Sequence, residues 1–209
     1  MKTITGLKIQ SRDKNKVNVY LDGTYFCALS LETALKHSLK PNTIIDEKVL
    51  EKIQLESEKN IAYEKALKLV STRYKSQKEV KDYLSQKGYS PATIYYCIKK
   101  LGEYDFINDE KYAESFVSHH LKKDGVIKIK QQLFAKGISE EIIDKTLSLV
   151  DSQEEQILRY KEKYMKNKED TKENYIKLYR YLMGKGFKAE EILKVLKGID
   201  EWLGVILLK

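Results

Sequence analysis

Leu84-Ser85-Gln86-Lys87-Gly88-Tyr89, Leu133-Phe134-Ala135-Lys136-Gly137-Ile138 and Leu182-Met183-Gly184-Lys185-Gly186-Phe187 are three versions of one hexamer. Their second glycines, or only glycines, stand 49 and again 49 residues apart. The hexamer reads as a helix end. A glycine just past the last turn takes the left-handed conformation that a Cβ penalises. The apolar residue after it closes a Schellman motif by packing back on the leucine. The lysine beside it complements the negative end of the helix dipole. A new helix follows at once: Ser90-Pro91 opens it in the first copy and Ser139-Glu140-Glu141 in the second. Its apolar triple also keeps the offset, as Ile94/Ile98/Leu101, Ile143/Leu147/Val150 and Ile192/Leu196/Ile199.

Working backward, Ser76-Gln77-Lys78-Glu79 is a capping box that starts the helix ending at Gly88. A further helix precedes it, with stripe Ala62/Ala66/Leu69/Val70 in the first copy and Ala113/Phe116/Val117/His120 in the second. Each unit is therefore three helices, over 61–107, 108–150 and 151–200, with an apolar segment at 201–209. Bundles this small must share a core or lean on their neighbours. Residues 1–60 read differently. Val17, Val19 and Leu21 alternate with polar or amphipathic neighbours, and Asp22-Gly23 leads into Thr24-Tyr25-Phe26-Cys27. That is a β-hairpin, in a sheet of two or three strands. Ser30 caps a helix expected to run to about Leu39, before Pro41, and the chain reads helical from about Asp46. The expected fold is mainly α: an elongated tandem array of three three-helix repeats behind a small N-terminal antiparallel sheet.

The 209 residues carry 39 Lys and Arg against 31 Asp and Glu, a formal charge of +8. The four segments 1–60, 61–107, 108–150 and 151–209 contribute +2, +4, 0 and +2, so no single arm concentrates the surplus. With 42% apolar residues the chain can build a core, which excludes global disorder. No run reaches the roughly 18 apolar residues of a membrane span. The start lacks the apolar region of a secretion signal. Cys27 and Cys97 make neither a disulfide framework nor a metal-ligand spacing. A monomer in a reducing cytoplasm is expected.

No catalytic constellation emerges, so the sequence predicts a protein that is not an enzyme and needs no metal or cofactor. It has no phosphate loop, no nucleophile elbow and no His-x-x-x-His or Cys-x-x-Cys spacing. His119 and His120 point about 100° apart on a helix, and His120 falls on an apolar stripe. Cys97 lies beside the Ile94/Ile98 stripe and reads as core. Most of the fifteen tyrosines are expected to pack, leaving Tyr74 and Tyr160 as candidates for base stacking. Lys78, Lys81 and Lys128 lie away from the apolar stripes, and Lys81 and Lys130 are equivalent across the 49-residue offset. Arg73 is placed either to bind carbonyls at its helix end or to meet a partner.

Arg73-x-x-Ser76-x-x-Glu79, then Leu84-x-x-Lys87-Gly88, resembles the opening signature of the RecX recombination regulators. So do Phe106-Ile107-Asn108-Asp109-Glu110-Lys111-Tyr112-Ala113-x-x-Phe116 and the later Gly125, Ile129, Leu133 and Lys136-Gly137-Ile138. Asn108 stands where an acidic residue is usual and Val80 where leucine is common; the third unit matches only around Leu182–Ile192. The resemblance implies a modulator of RecA that lies in the groove of the RecA–single-stranded DNA filament. It also implies inhibition of filament growth, ATP hydrolysis and strand exchange, in homologous recombination, DNA repair and the SOS response. Arg73, Lys78, Lys81, Lys128 and Lys130 are then the expected contacts to filament or DNA. Two other readings stay open: a helix-turn-helix regulator of duplex DNA, and a helical scaffold.

Overall fold

The computed structural model describes residues 1–197. Ile199 and the apolar segment 201–209 lie outside the described residues. The chain divides into two compact units, Met1–Ile107 and a second beginning at Asn108.

In the first unit, β1 (Lys2–Ile9), β2 (Lys16–Leu21) and β3 (Thr24–Ser30) form an antiparallel meander. Asp22 and Gly23 both take positive φ, at 47° and 85°, the geometry of the type I′ hairpin turn. Val17, Val19 and Leu21 face the core with Ile4, Cys27 and Leu29. The sheet has a fourth strand, β4 (Ile44–Ile45), on the outer edge of β1, giving the order β3-β2-β1-β4. The sequence expectation stopped at three strands, because two residues carry no period. Helix α1 (Leu31–Lys36) starts at Ser30 as expected but stops short of Leu39. Ser38 turns left-handed at φ 51°, with its N–H on the Leu35 carbonyl and the Leu39 N–H on that of Ala34. This is the Schellman pattern without its glycine, so the sequence did not announce it.

Helix α2 (Glu47–Val70) is 24 residues long and runs unbroken through residue 60, where the sequence placed a boundary. Leu50 and Ile53 pack on the sheet, while Ala62 and Ala66 pack in the first three-helix core. That core is completed by α3 (Gln77–Gln86) and α4 (Pro91–Glu103). Both halves of the Ser76–Glu79 capping box form. On α4 the buried face is Ile94, Cys97 and Leu101, and Ile98 is only partly buried. Cys27 and Cys97 are both enclosed, and burial pushes each thiol up to about 11. Such thiols stay protonated at neutral pH, and only the thiolate is nucleophilic. Maleimide is therefore expected to spare both cysteines in the folded chain and to modify both in denaturant; fast native labelling would contradict this packing.

The second unit holds α5 (Asp109–His120), α6 (Val126–Ala135) and α7 (Glu140–Leu147), then α8 (Glu154–Met165), α9 (Lys172–Lys185) and α10 (Ala189–Leu196). Asn108 caps α5 by accepting from the N–H groups of Glu110 and Lys111, so the amide does what an acidic residue would do there. The predicted helix ends are present in all three repeats. Gly88, Gly137 and Gly186 have φ of 80°, 78° and 85°. The N–H groups of Tyr89, Ile138 and Phe187 donate to the carbonyls of Leu84, Leu133 and Leu182 at 3.3, 3.2 and 3.3 Å. Replacing Gly137 by valine is expected to cost about 1–2 kcal/mol from the left-handed backbone alone. An unchanged denaturation midpoint would contradict that assignment.

Candidate functional site

Arg73, Lys78 and Lys81 lie together in chain order on the first unit. Arg73 is in the turn between α2 and α3, and the two lysines stand one turn apart on the exposed side of α3. Arg73 does not cap α2. The hydroxyls of Ser71 and Thr72 donate to the Lys68 and Leu69 carbonyls instead, which leaves the guanidinium exposed. Neither the Arg73 nor the Lys81 side chain has a hydrogen bond or ion pair with any described residue, whereas Lys78 has a contact of its own within the chain. Tyr74, beside Arg73, is 61% exposed.

The two lysines of the second unit sit differently. Lys128 reaches Asp124 at 2.7 Å, and Asp124 also meets His120 Nδ1 at 3.4 Å. Burial opposes the charged form of Asp124, but the hydrogen bonds from Lys128 and His120 and the fields of Lys128 and Lys185 outweigh it, so its carboxyl stays below the ordinary aspartate range. His120 further stacks on Phe116 with ring centroids 4.0 Å apart, which makes it part of the packing, as its stripe position implied. Lys130 reaches Asp144 at 2.7 Å and Glu140 at 3.6 Å. The hydrogen bond to Asp144 holds its ammonium above the ordinary lysine range. Lys81, its equivalent, lacks such partners because Pro91 and Tyr95 occupy the positions that correspond to Glu140 and Asp144. Equivalent lysines therefore differ in availability.

Sequence reasoning missed one feature of the second unit. The N–H of Gly125 donates to the Lys185 carbonyl at 2.9 Å, and that of Ile127 to the Gly186 carbonyl at 3.0 Å. The Val126 N–H donates to buried Gln153 Oε1 at 3.0 Å. The glycine turn of the third repeat thus satisfies two of the orphan donors that open α6 in the second, and Gln153 a third. Gly125 corresponds across the offset to Ser76, which caps α3 with its own side chain. That exchange of Ser for Gly was the available signal.

Among the described residues no three His, Cys, Asp or Glu side chains are grouped to hold a metal ion. No described helix is long and apolar enough to cross a membrane.

Three family descriptions match the chain: the regulatory protein RecX N-terminal domain over residues 2–46, the RecX first three-helix domain over 62–101 and the RecX second three-helix domain over 108–147. A regulatory protein RecX of Clostridium tetani is 40% identical over 92% of this chain and 92% of its own length. One from Clostridium beijerinckii is 38% identical over 95% and 96%. A crystal structure of a regulatory protein RecX superposes with a TM-score of 0.70 over 93% of this chain and 98% of that one, at 24% identity, a likeness of fold. The crystal structure of RecX from Lactobacillus salivarius gives 0.63 over 68% of this chain and 97% of that one, at 29% identity.

Proposed function

Because the chain belongs to the RecX family of regulatory proteins, we propose that it binds the filament RecA forms on single-stranded DNA and lowers its ATPase and strand exchange. The observation that carries this reading is the family match across nearly the whole chain. Tandem three-helix units of one construction suit a partner that presents the same surface again and again. The basic surplus suits an acidic filament surface or DNA phosphate.

The five cations have unequal shares in this reading. Arg73 and Lys81 are exposed and hold no internal carboxylate, so a partner meets them without breaking a bond inside the protein. Lys78 adds to the same side of α3. Lys128 and Lys130 would have to leave Asp124 and Asp144. Titrating the chain into RecA on single-stranded DNA while following ATP hydrolysis tests the proposal. Turnover is expected to fall at substoichiometric ratios. Constant turnover across a broad titration would overturn it, and a sequence-specific footprint on duplex DNA would favour a helix-turn-helix regulator.

A further inference from the structure

The third repeat carries a strip of aromatic rings along the edge of its core, with Tyr160 and Tyr164 partly buried against that core and Tyr181 more exposed. The core faces inward through Ile157, Leu178, Leu182 and Ile192. On the edge of that core, α8 and α9 set three tyrosines in contact. Tyr160 and Tyr164, one helical turn apart on α8, flank Tyr181 of α9. The Tyr160 ring meets Tyr181 edge-on at 6.0 Å, and the Tyr164 ring stacks on Tyr181 at 5.7 Å and 29°. Tyr160 is fixed from behind, by edge contact with fully buried Phe187 at 5.8 Å and by its hydroxyl donating to the Lys123 carbonyl at 3.0 Å. Tyr181 keeps 40% of its surface exposed.

Two ammonium groups border the strip. Lys168 Nζ stands 3.1 Å from the Tyr164 ring centroid, and Lys185 Nζ lies 5.6 and 5.8 Å from those of Tyr160 and Tyr181. Neither has a carboxylate within ion-pair distance among the described residues, although the field of Lys185 reaches Asp124. Residues 159–185 hold nine Lys and Arg against four Asp and Glu, so the surroundings are basic.

We infer that this strip is a stacking site for single-stranded nucleic acid, bound by the chain itself. Pre-ordered π faces with cations beside them match unpaired bases joined by phosphates. A duplex turns its bases inward and offers the rings nothing to stack on. An acidic protein surface would use the ammonium groups and leave the rings idle. Lys168, now lying over Tyr164, can swing to a phosphate as a base takes its place. The site acts without a recombinase, so its failure and that of the RecA reading are separate results.

The test is fluorescence anisotropy of a labelled oligo-dT with the chain alone at low salt. Wild type and Tyr181→Phe are expected to bind alike, because both keep the ring. Tyr164→Leu/Tyr181→Leu is expected to weaken binding at least about tenfold, since each stacked base contributes appreciably. Lys168→Ala, at an exposed position, should lower the log–log salt slope by about 0.7. Tighter binding of oligo-U than of oligo-dT would support the site with RNA as its ligand. Equal affinity of wild type and the folded double leucine variant would overturn it, as would a preference for duplex of the same length.

Discussion

Replacing Gly125 with alanine is expected to loosen the joint between the second and third repeats and to lower the stability of the second unit by at least about 1–3 kcal/mol, the cost of forcing atoms into filled space. A Cβ at residue 125 would stand 2.1 Å from the Gly186 carbonyl carbon and oxygen and 2.2 Å from the Phe187 nitrogen. These are backbone atoms held in a hydrogen-bonded turn, so they cannot rotate away as a side chain would. Moving them also breaks the bonds that open α6. Gly186→Ala should be costlier than Gly88→Ala. Both glycines are left-handed, which costs alanine about 1–2 kcal/mol. A Cβ at 88 meets nothing within 4 Å, whereas one at 186 falls 2.4 Å from Lys128 Cβ and 2.5 Å from its nitrogen. Urea denaturation of the full chain followed by circular dichroism measures all three. Equal losses for Gly88→Ala and Gly186→Ala would show that the joint contributes nothing beyond conformation.

Reversing two charges, Arg73→Glu with Lys81→Glu, is expected to weaken binding to RecA filaments about tenfold or more, a change of about 1.4 kcal/mol. Neither side chain has an internal partner, so folding stability should stay within about 0.5 kcal/mol of wild type. Lys130→Ala should change filament affinity far less, because that ammonium is already held by Asp144 and Glu140. The contrast should be sharpest at low salt, since exposed charges are screened over about 8 Å at physiological ionic strength. Filament binding measured by anisotropy over a salt series decides it. Wild-type affinity in the double reversal would return Arg73 and Lys81 to ordinary solvated surface.

The parts of this fold written in short stretches of chain were legible in the sequence. A Schellman turn needs only a glycine and two apolar residues five positions apart, so Gly88, Gly137 and Gly186 announced three helix ends. Ser76 with Glu79, and Asp22 with Gly23, are equally local. Features that depend on distant partners stayed hidden. Gly125 looks like any loop glycine until Gly186 is beside it. Ile44 and Ile45 become a strand only because β1 offers an edge. The left-handed Ser38 has no sequence mark, and α2 carries two stripes end to end with no breaker between them. The same holds for the candidate contacts. Exposure of Lys78 and Lys81 follows from helical spacing, whereas that of Arg73 follows from α2 ending at Val70, and the carboxylates that occupy Lys128 and Lys130 depend on local packing, for Lys130 on a neighbouring helix. Of the two tyrosines marked for stacking, Tyr74 is exposed, while Tyr160 is partly buried in a strip whose other rings come from α8 and α9 together.

A chain that recognises the RecA filament must sediment with it. Long single-stranded DNA is held constant, RecA is raised until it covers the strand, and the amount of this chain in the pellet is followed. The chain is expected to be in the pellet and to stay there once RecA has saturated the DNA. If the chain instead leaves the pellet as RecA covers the strand, it binds bare DNA and not the filament, and the proposed function is wrong.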